Sequence, residues 1–250
     1  MFKRNGGYYL MFGAGGTEFR TYATGVARSD SPLGDFTVQT NNPVFFSPKG
    51  VVTGTAHGAV VKDERGEWWY FYGVHGGCHH QFERYVGMDR ITFLPNGDAA
   101  AASATNEPQW LPGYGTGTAW KQLEGSYLYG GAAFDRNLET EFVPNRGLPY
   151  QLSYHFNRPV KVCANRLIWS DGGSDVLKGV ESGPIKYRLQ LKRSDASWIT
   201  VIDASANDRD LTVDYREIDP AAATDAKLEV LGAPSGILPR VVEWTLFGEE

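Results

Sequence analysis

The sequence predicts an all-β protein of two domains, and three observations carry that reading. Its 7 Trp, 13 Tyr and 13 Phe, set among 30 Gly and 13 Pro, favour many short strands joined by tight turns. Its apolar residues recur in short aromatic or β-branched runs, with no sustained helical period. Its 250 residues, 42% hydrophobic and 21% charged, form a globular composition with room for two ordinary domains.

Strands are expected in the first part at 7–13, 23–28, 59–62, 68–74 and 90–94, each bounded by Gly, Pro, Asn or Asp. Asp63-Glu64-Arg65-Gly66 has the chemistry of a hairpin turn, so the strand of Trp68, Trp69 and Tyr70 is expected to pair antiparallel with the one before it. Trp68 and Trp69 point to opposite faces of that strand, one of them into the core. Tyr8-Tyr9-Leu10-Met11-Phe12 reads as a strand so close to Met1 that the chain is expected to be entered mid-sheet. Residues 99–118, small, polar and Gly-rich, read as a connection between domains spanning 1–98 and 119–250. Beyond it strands are expected at 150–156, 162–169, 185–191, 198–201, 227–231 and 241–247, the spacing of a sandwich or jelly roll.

Charge narrows the partners. A formal net charge of -5, with no Lys/Arg run reaching four, argues against nucleic acid and anionic membrane. No window approaches the roughly 18 consecutive apolar residues of a membrane helix, and the first seven residues lack the apolar core of a signal peptide. Cys78 and Cys163 fall in different expected domains and are read as free thiols. His75, His79 and His80 flank Cys78 at a spacing that suits zinc or copper, but no second ligand pair at metal-finger spacing accompanies them. A cleft-rim loop with His75 near substrate is the preferred reading.

Four segments then carry a resemblance: Lys3-Arg4-Asn5-Gly6-Gly7-Tyr8-Tyr9-Leu10; Ala27-Arg28-Ser29-Asp30-Ser31-Pro32-Leu33-Gly34-Asp35-Phe36; Gly54-Thr55-Ala56-His57-Gly58-Ala59-Val60-Val61; and Phe82-Glu83-Arg84-Tyr85-Val86-Gly87-Met88-Asp89-Arg90. In their order they resemble the closing blades of glycoside hydrolase family 43, a five-bladed β-propeller. The resemblance implies an inverting hydrolase of arabinofuranosides, xylosides or related glycans, acting through two Asp and a Glu without a cofactor. Inversion needs two carboxyl groups roughly 6.5–9.5 Å apart. The family's acid and both Asp correspond to positions upstream of Met1, so this chain alone is expected to be inactive and to be a fragment. By the same resemblance His57 lies near the propeller axis, as a metal ligand or a hydrogen-bonding group, and Arg84 reaches sugar hydroxyls, with Glu83 as its neighbour. Glu18 sits in a loop that can face the cleft.

Residues 119–248 resemble a discoidin-like domain of the coagulation-factor type C class, an eight-stranded jelly roll often used as a carbohydrate-binding module. The carrying residues are Ala132-Ala133-Phe134-Asp135-Arg136-Asn137-Leu138-Glu139-Thr140-Glu141-Phe142, Tyr150-Gln151-Leu152-Ser153-Tyr154-His155-Phe156, Ile185-Lys186-Tyr187-Arg188-Leu189-Gln190, Trp198-Ile199-Thr200-Val201 and Val242-Glu243-Trp244-Thr245-Leu246-Phe247-Gly248, departing at Phe142, where a Trp is usual. The resemblance implies a structural Ca²⁺ at Asp135, Thr140 and Glu243, with plain turn capping as the alternative. Trp169, Asp171 and Tyr215 are nominated for sugar contact, the alternative being a module that only buttresses the propeller. Partners are thus expected to be polysaccharide or oligosaccharide, and the location extracellular or periplasmic.

Overall fold

The structure, a computed structural model, describes residues 1–75, 82, 84–101, 104–114 and 119–249. It divides into two compact units, Met1–Ala119 and Trp120–Glu250, each with its own core.

In the first unit, β1 (Phe2–Arg4), β2 (Gly7–Ala14), β3 (Ala23–Ser29) and β4 (Thr37–Val38) form a four-stranded antiparallel sheet in chain order. Asn5 and Gly6 close the β1–β2 hairpin with φ of 48° and 86°, the left-handed pair that a two-residue Asn-Gly turn supplies at least cost. The pattern repeats in β5 (Thr53–Lys62), β6 (Trp68–His75), β7 (Arg84–Phe93) and β8 (Ala99–Ala100). Asp63 ties the β5–β6 turn: its Oδ1 accepts from the amides of Arg65 (3.0 Å) and Glu67 (2.8 Å).

Tyr9 and Val26 of one sheet and Tyr70, Tyr72 and Ile91 of the other pack into one core around Phe45. The Phe45 ring lies 4.7 Å from that of Tyr70, and truncating it to Ala would cost about 3–5 kcal/mol. Two successive four-stranded meanders on a shared core are the repeat of a β-propeller, so this unit is a partial propeller. Trp69 is fully buried with its Nε1 donating to Asp63 Oδ2 at 3.0 Å, while Trp68 packs against Phe2 with ring centroids 4.9 Å apart.

The stretch read as a connection departs from expectation. Ala99–Ala100 pair with Phe93 and Thr92 as the fourth strand of the second sheet. Ala101 and Ala104 pack on the same core, and the Gly113 amide donates to Asp63 Oδ2 at 3.2 Å. Alanine is depleted in strands, which hid β8, yet its small side chain is what lets this strand lie close on the core. Thr105 then reaches back to buried Asp89. Its amide donates to Oδ2 at 3.1 Å and its hydroxyl to Oδ1 at 2.8 Å, beside a short hydrogen bond from Tyr72.

The second unit is a β-sandwich. Its strands are β9 (Lys121–Gln122), β10 (Gly125–Ser126), β11 (Tyr150–Gly172), β12 (Lys186–Lys192), β13 (Trp198–Ala204), β14 (Val213–Gly232) and β15 (Leu238–Glu249). They are hydrogen-bonded in the order β13-β12-β14-β11-β15-β9, with β10 on β11. Seven strands, among the described residues, fill the expected eight-stranded role because β11 and β14 run for 23 and 20 residues and wrap around the core.

Bulges make this possible. Leu152, Phe156, Val160 and Val162 of β11 face the core on even positions, but Leu167 and Trp169 do so on odd ones. The parity switches at the irregularity between Val162 and Ala164, which holds Cys163, a buried free thiol. Pro159 and Pro220 both fall where the β11–β14 register shifts, the places in a ladder where a missing N–H costs least.

Candidate functional site

The first site grows from an irregularity in β5. Its register with β6 shifts between Thr53 and Ala56 and again between Ala56 and Ala59, which frees Gly54, Thr55, His57 and Gly58 from regular pairing. A Cβ at Gly58 would sit 2.0 Å from the Phe71 carbonyl oxygen, so only glycine lets the strands approach there. Between these glycines His57 takes φ 60°, a conformation uncommon for residues other than glycine, though Asn, Asp and His adopt it more often than the rest, and is exposed.

His57 and Arg84 line an open depression of about 700 Å³, together with Thr17, Phe71, Tyr85 and Val86. Among the described residues, none that lines it is an Asp or Glu. The Thr17 carbonyl ties the wall together. It accepts a short hydrogen bond from Arg84 Nη2, and His75 Nε2 lies 3.0 Å from it, which fixes the proton of that ring on Nε2. Burial pushes the His75 pKa down, with the Thr17 carbonyl opposing, so the ring is neutral at pH 7.

His75 is therefore a buried residue at the end of β6, outside the lining of the depression, rather than part of a rim loop. Glu18 follows Thr17 in the same loop and is half-buried, outside the lining. Glu83 and the Cys78-His79-His80 stretch lie outside the described residues.

The second site is built on the turn before β11. Asp135 Oδ1 accepts the Asn137 amide at 3.0 Å and Oδ2 accepts the Thr140 hydroxyl at 2.7 Å. The amide of the intervening Arg136, held at φ 59°, donates to Glu243 Oε2 at 2.8 Å. The turn and a glutamate of β15 are thus brought together, as the resemblance implied. Glu243 is 1% exposed; burial pushes its carboxyl up to about 8, the Asp135 carboxylate adds to the shift, and the Arg136 amide and Arg166 oppose it.

The Arg136 side chain reaches the other way. Its Nη2 donates to Glu124 at 2.6 Å, and with the Gln122 amide oxygen turned toward it, Nε and Nη2 each donate to Gln122 at 3.1 Å. These groups border a cavity of about 260 Å³ whose wall includes Tyr127, Phe134, Tyr154 and Trp244. Gln122, Glu124 and Tyr127 were not singled out in the sequence; the one local signal was the aromatic run Tyr127-Leu128-Tyr129 ahead of Gly130-Gly131.

The sugar contacts nominated from sequence fare unevenly. Trp169 is 2% exposed and packs against Tyr187 in the core, so it offers no face to a sugar. Its place on the odd-numbered core face of β11 follows from the bulge at Cys163, which sequence periodicity did not reveal. Tyr215 is 39% exposed on β14, its hydroxyl 3.4 Å from Glu217. Asp171 pairs with Pro239 in the β11–β15 ladder, and its side chain lies outside the described residues.

No helix among the described residues is long and apolar enough to cross a membrane. No curated protein matches the chain. Among solved structures, a glycoside hydrolase is similar over 98% of this chain and 58% of its own length, at 15% identity and a TM-score of 0.45. An endo-1,4-beta-xylanase from Bacteroides thetaiotaomicron VPI-5482 is similar over 40% of this chain and 35% of its own, at 27% identity and a TM-score of 0.37. The family 32 carbohydrate-binding module of Streptococcus pneumoniae EndoD is similar over 52% of this chain and 100% of its own, at 15% identity and a TM-score of 0.39. The chain thus spans 58% of the length of the first of these. Residues 1–98 match the model of glycosyl hydrolases family 43, the family that the motifs around Asn5-Gly6, Ser29-Asp30, His57 and Arg84 resemble.

Proposed function

We propose that this chain is part of an extracellular glycoside hydrolase acting on arabinofuranose- or xylose-containing glycan, in which the first unit supplies a substrate-facing wall and the second binds glycan. The observation that carries this reading is the depression holding His57 and Arg84 within the segment that matches family 43. A guanidinium oriented by the Thr17 carbonyl, an exposed imidazole and the rings of Phe71 and Tyr85 suit a hydroxylated sugar ring. Inverting hydrolysis needs two carboxyl groups, and the described lining residues include none, which supports an acid and base supplied from outside this chain and a chain that is inactive alone.

The Asp135, Thr140 and Glu243 oxygens are a hard donor set, and a buried carboxylate with a raised pKa beside a second carboxylate suits a divalent cation. Calcium held there would tie the Asp135 turn to β15. No metal role is assigned to His57.

The chain is tested by retention on immobilised arabinan and xylan, and by hydrolysis of aryl α-arabinofuranoside and aryl β-xyloside. Retention that falls about tenfold in Arg84→Ala, without hydrolysis, is the expected result. Hydrolysis by the chain itself would overturn the assignment of chemistry to outside residues. Retention unaffected by Arg84→Ala and His57→Ala would favour the second reading, a glycan-binding or adhesion module without a catalytic role.

A further inference from the structure

We infer that the cavity walled by Tyr127 and Arg136 in the second unit is a binding site for one neutral pyranose residue of a glycan. This rests on the glycan-binding reading above and gives it a location.

Three features converge there. The first is an aromatic platform. Tyr127 is 44% exposed, yet its ring is stacked on Phe134 with centroids 4.7 Å apart and planes 12° from parallel. Phe134 in turn packs on Tyr154 at 5.3 Å and Trp244 at 5.5 Å, and the indole of Trp244 is anchored by Asn165 Oδ1 at 2.8 Å. An exposed ring so backed is already immobile, so stacking a sugar on it costs little side-chain entropy.

The second is a planar polar group fixed at the edge of the platform. Glu124 and Gln122 engage Nε and Nη2 of Arg136, and the guanidinium has two further N–H donors on Nη1. Arg136 and Glu124 side chains are both substantially exposed and cancel in charge. Donors and acceptors without net charge suit vicinal hydroxyls better than a uronate or sulfate.

The third is backbone strain. Arg136 is a non-glycine residue at φ 59°, held there by the Glu243 carboxylate on its amide, and this conformation accompanies the reach of its side chain toward Glu124. Size sets the length of the ligand. About 260 Å³ falls below the roughly 300–1,000 Å³ of sites for drug-sized molecules, which restricts the cavity to one sugar residue, with the rest of the glycan outside.

The test titrates the full 250-residue chain with methyl β-glycosides of galactose, glucose, xylose and N-acetylglucosamine, and with sodium glucuronate, following backbone amide shifts. Saturable shifts from a neutral glycoside at residues 122–127 and 136, weakened about tenfold in Tyr127→Ala and in Arg136→Lys, are expected. Arg136→Lys keeps the charge and loses the planar fork, and Tyr127 is exposed enough that its truncation leaves the core intact. Shifts mapping elsewhere and unchanged in both variants would overturn this location while leaving glycan binding standing. A stronger response to glucuronate would overturn the neutral class. No response to any monosaccharide at tens of millimolar would overturn the site, and polysaccharide retention would decide separately whether the unit binds glycan at all.

Discussion

The two units place a non-glycine residue in the left-handed region at the edge of a cavity, His57 at φ 60° and Arg136 at φ 59°, but they hold it there differently. His57 rides on a bulged strand between close-packed glycines, and its strain is imposed by the pairing on either side. Arg136 is caught by a buried carboxylate from a strand more than a hundred residues away. The first arrangement depends on the sheet, the second on one polar contact. Buried carboxylates differ in the same way. Asp89 accepts three donors, whereas Glu243 has the Arg136 amide as its short hydrogen bond.

Removing each carboxylate should give the largest effects and expose that difference. Asp89→Ala leaves the Tyr72 hydroxyl and the Thr105 amide and hydroxyl without their acceptor, at about 1–3 kcal/mol for each buried group so stranded. A loss of at least about 3 kcal/mol is expected, confined to the first unit in hydrogen exchange during denaturation. Glu243→Ala strands chiefly the Arg136 amide and should cost the second unit about 1–3 kcal/mol. Equal losses in the two variants would show that the three Asp89 donors find other partners.

Calcium should act on one unit alone. At a hundred times its dissociation constant a bound ion stabilises by about 2.7 kcal/mol. If Asp135, Thr140 and Glu243 hold it, calcium should raise the melting temperature of the second unit, EDTA should reverse this, and Glu243→Gln should abolish the response. A calcium response in the first unit instead would return the metal to His57.

Much of the strand pattern, including the Asn5-Gly6 and Asp63 turns, was legible because turn chemistry and period-2 alternation are local. What stayed hidden depends on bulges. The β11–β14 ladder breaks between Ala221 and Glu217, around Pro220, and the half of β5 containing His57 pairs irregularly, and a proline or a Gly-Thr-Ala-His-Gly run does not read as a strand. The same bulges turned Trp169 inward. The Asp135, Thr140 and Glu243 grouping came from a motif whose parts are far apart in sequence, whereas Gln122 and Glu124, which join Arg136 of that motif, belong to no motif themselves. Only the folded sandwich makes them neighbours.

The pH dependence of the first unit offers a smaller test of the same contrast. Burial holds the Asp89 carboxyl above its usual range, against the hydrogen bonds from Tyr72 and Thr105 that favour its ionised form. A raised folded-state pKa means that the native state binds the proton more tightly than the unfolded chain does. The group therefore costs nothing below its unfolded value near 3.8, and its ionisation takes stability away as pH rises from there through the raised folded value. Asp89→Asn keeps an acceptor for Tyr72 and the Thr105 amide, while Thr105 Oγ1 can accept from the new NH₂. It should flatten that decline and match or exceed the parent at pH 7, unlike Asp89→Ala. A variant as pH-dependent as the parent would assign the slope to other groups.

The smallest effect concerns strain itself. Glycine at position 57 adopts φ 60° freely, and because His57 is exposed, little packing is lost. Relief of about 1–2 kcal/mol of left-handed strain, less about 0.5–1 kcal/mol for the greater freedom of glycine in the unfolded chain, leaves His57→Gly about 0.5–1 kcal/mol more stable. Arg136→Gly gains the same relief and loses the side-chain contacts to Glu124 and Gln122, exposed interactions worth about 0–1 kcal/mol, so its stability should hardly change. Thermal midpoints of the two variants against the parent distinguish these. If His57→Gly stabilises the fold while weakening retention on arabinan or xylan, the strain at His57 belongs to binding. If it stabilises the fold and leaves retention intact, the bulge merely tolerates the histidine, and Arg84 alone carries sugar recognition on that wall.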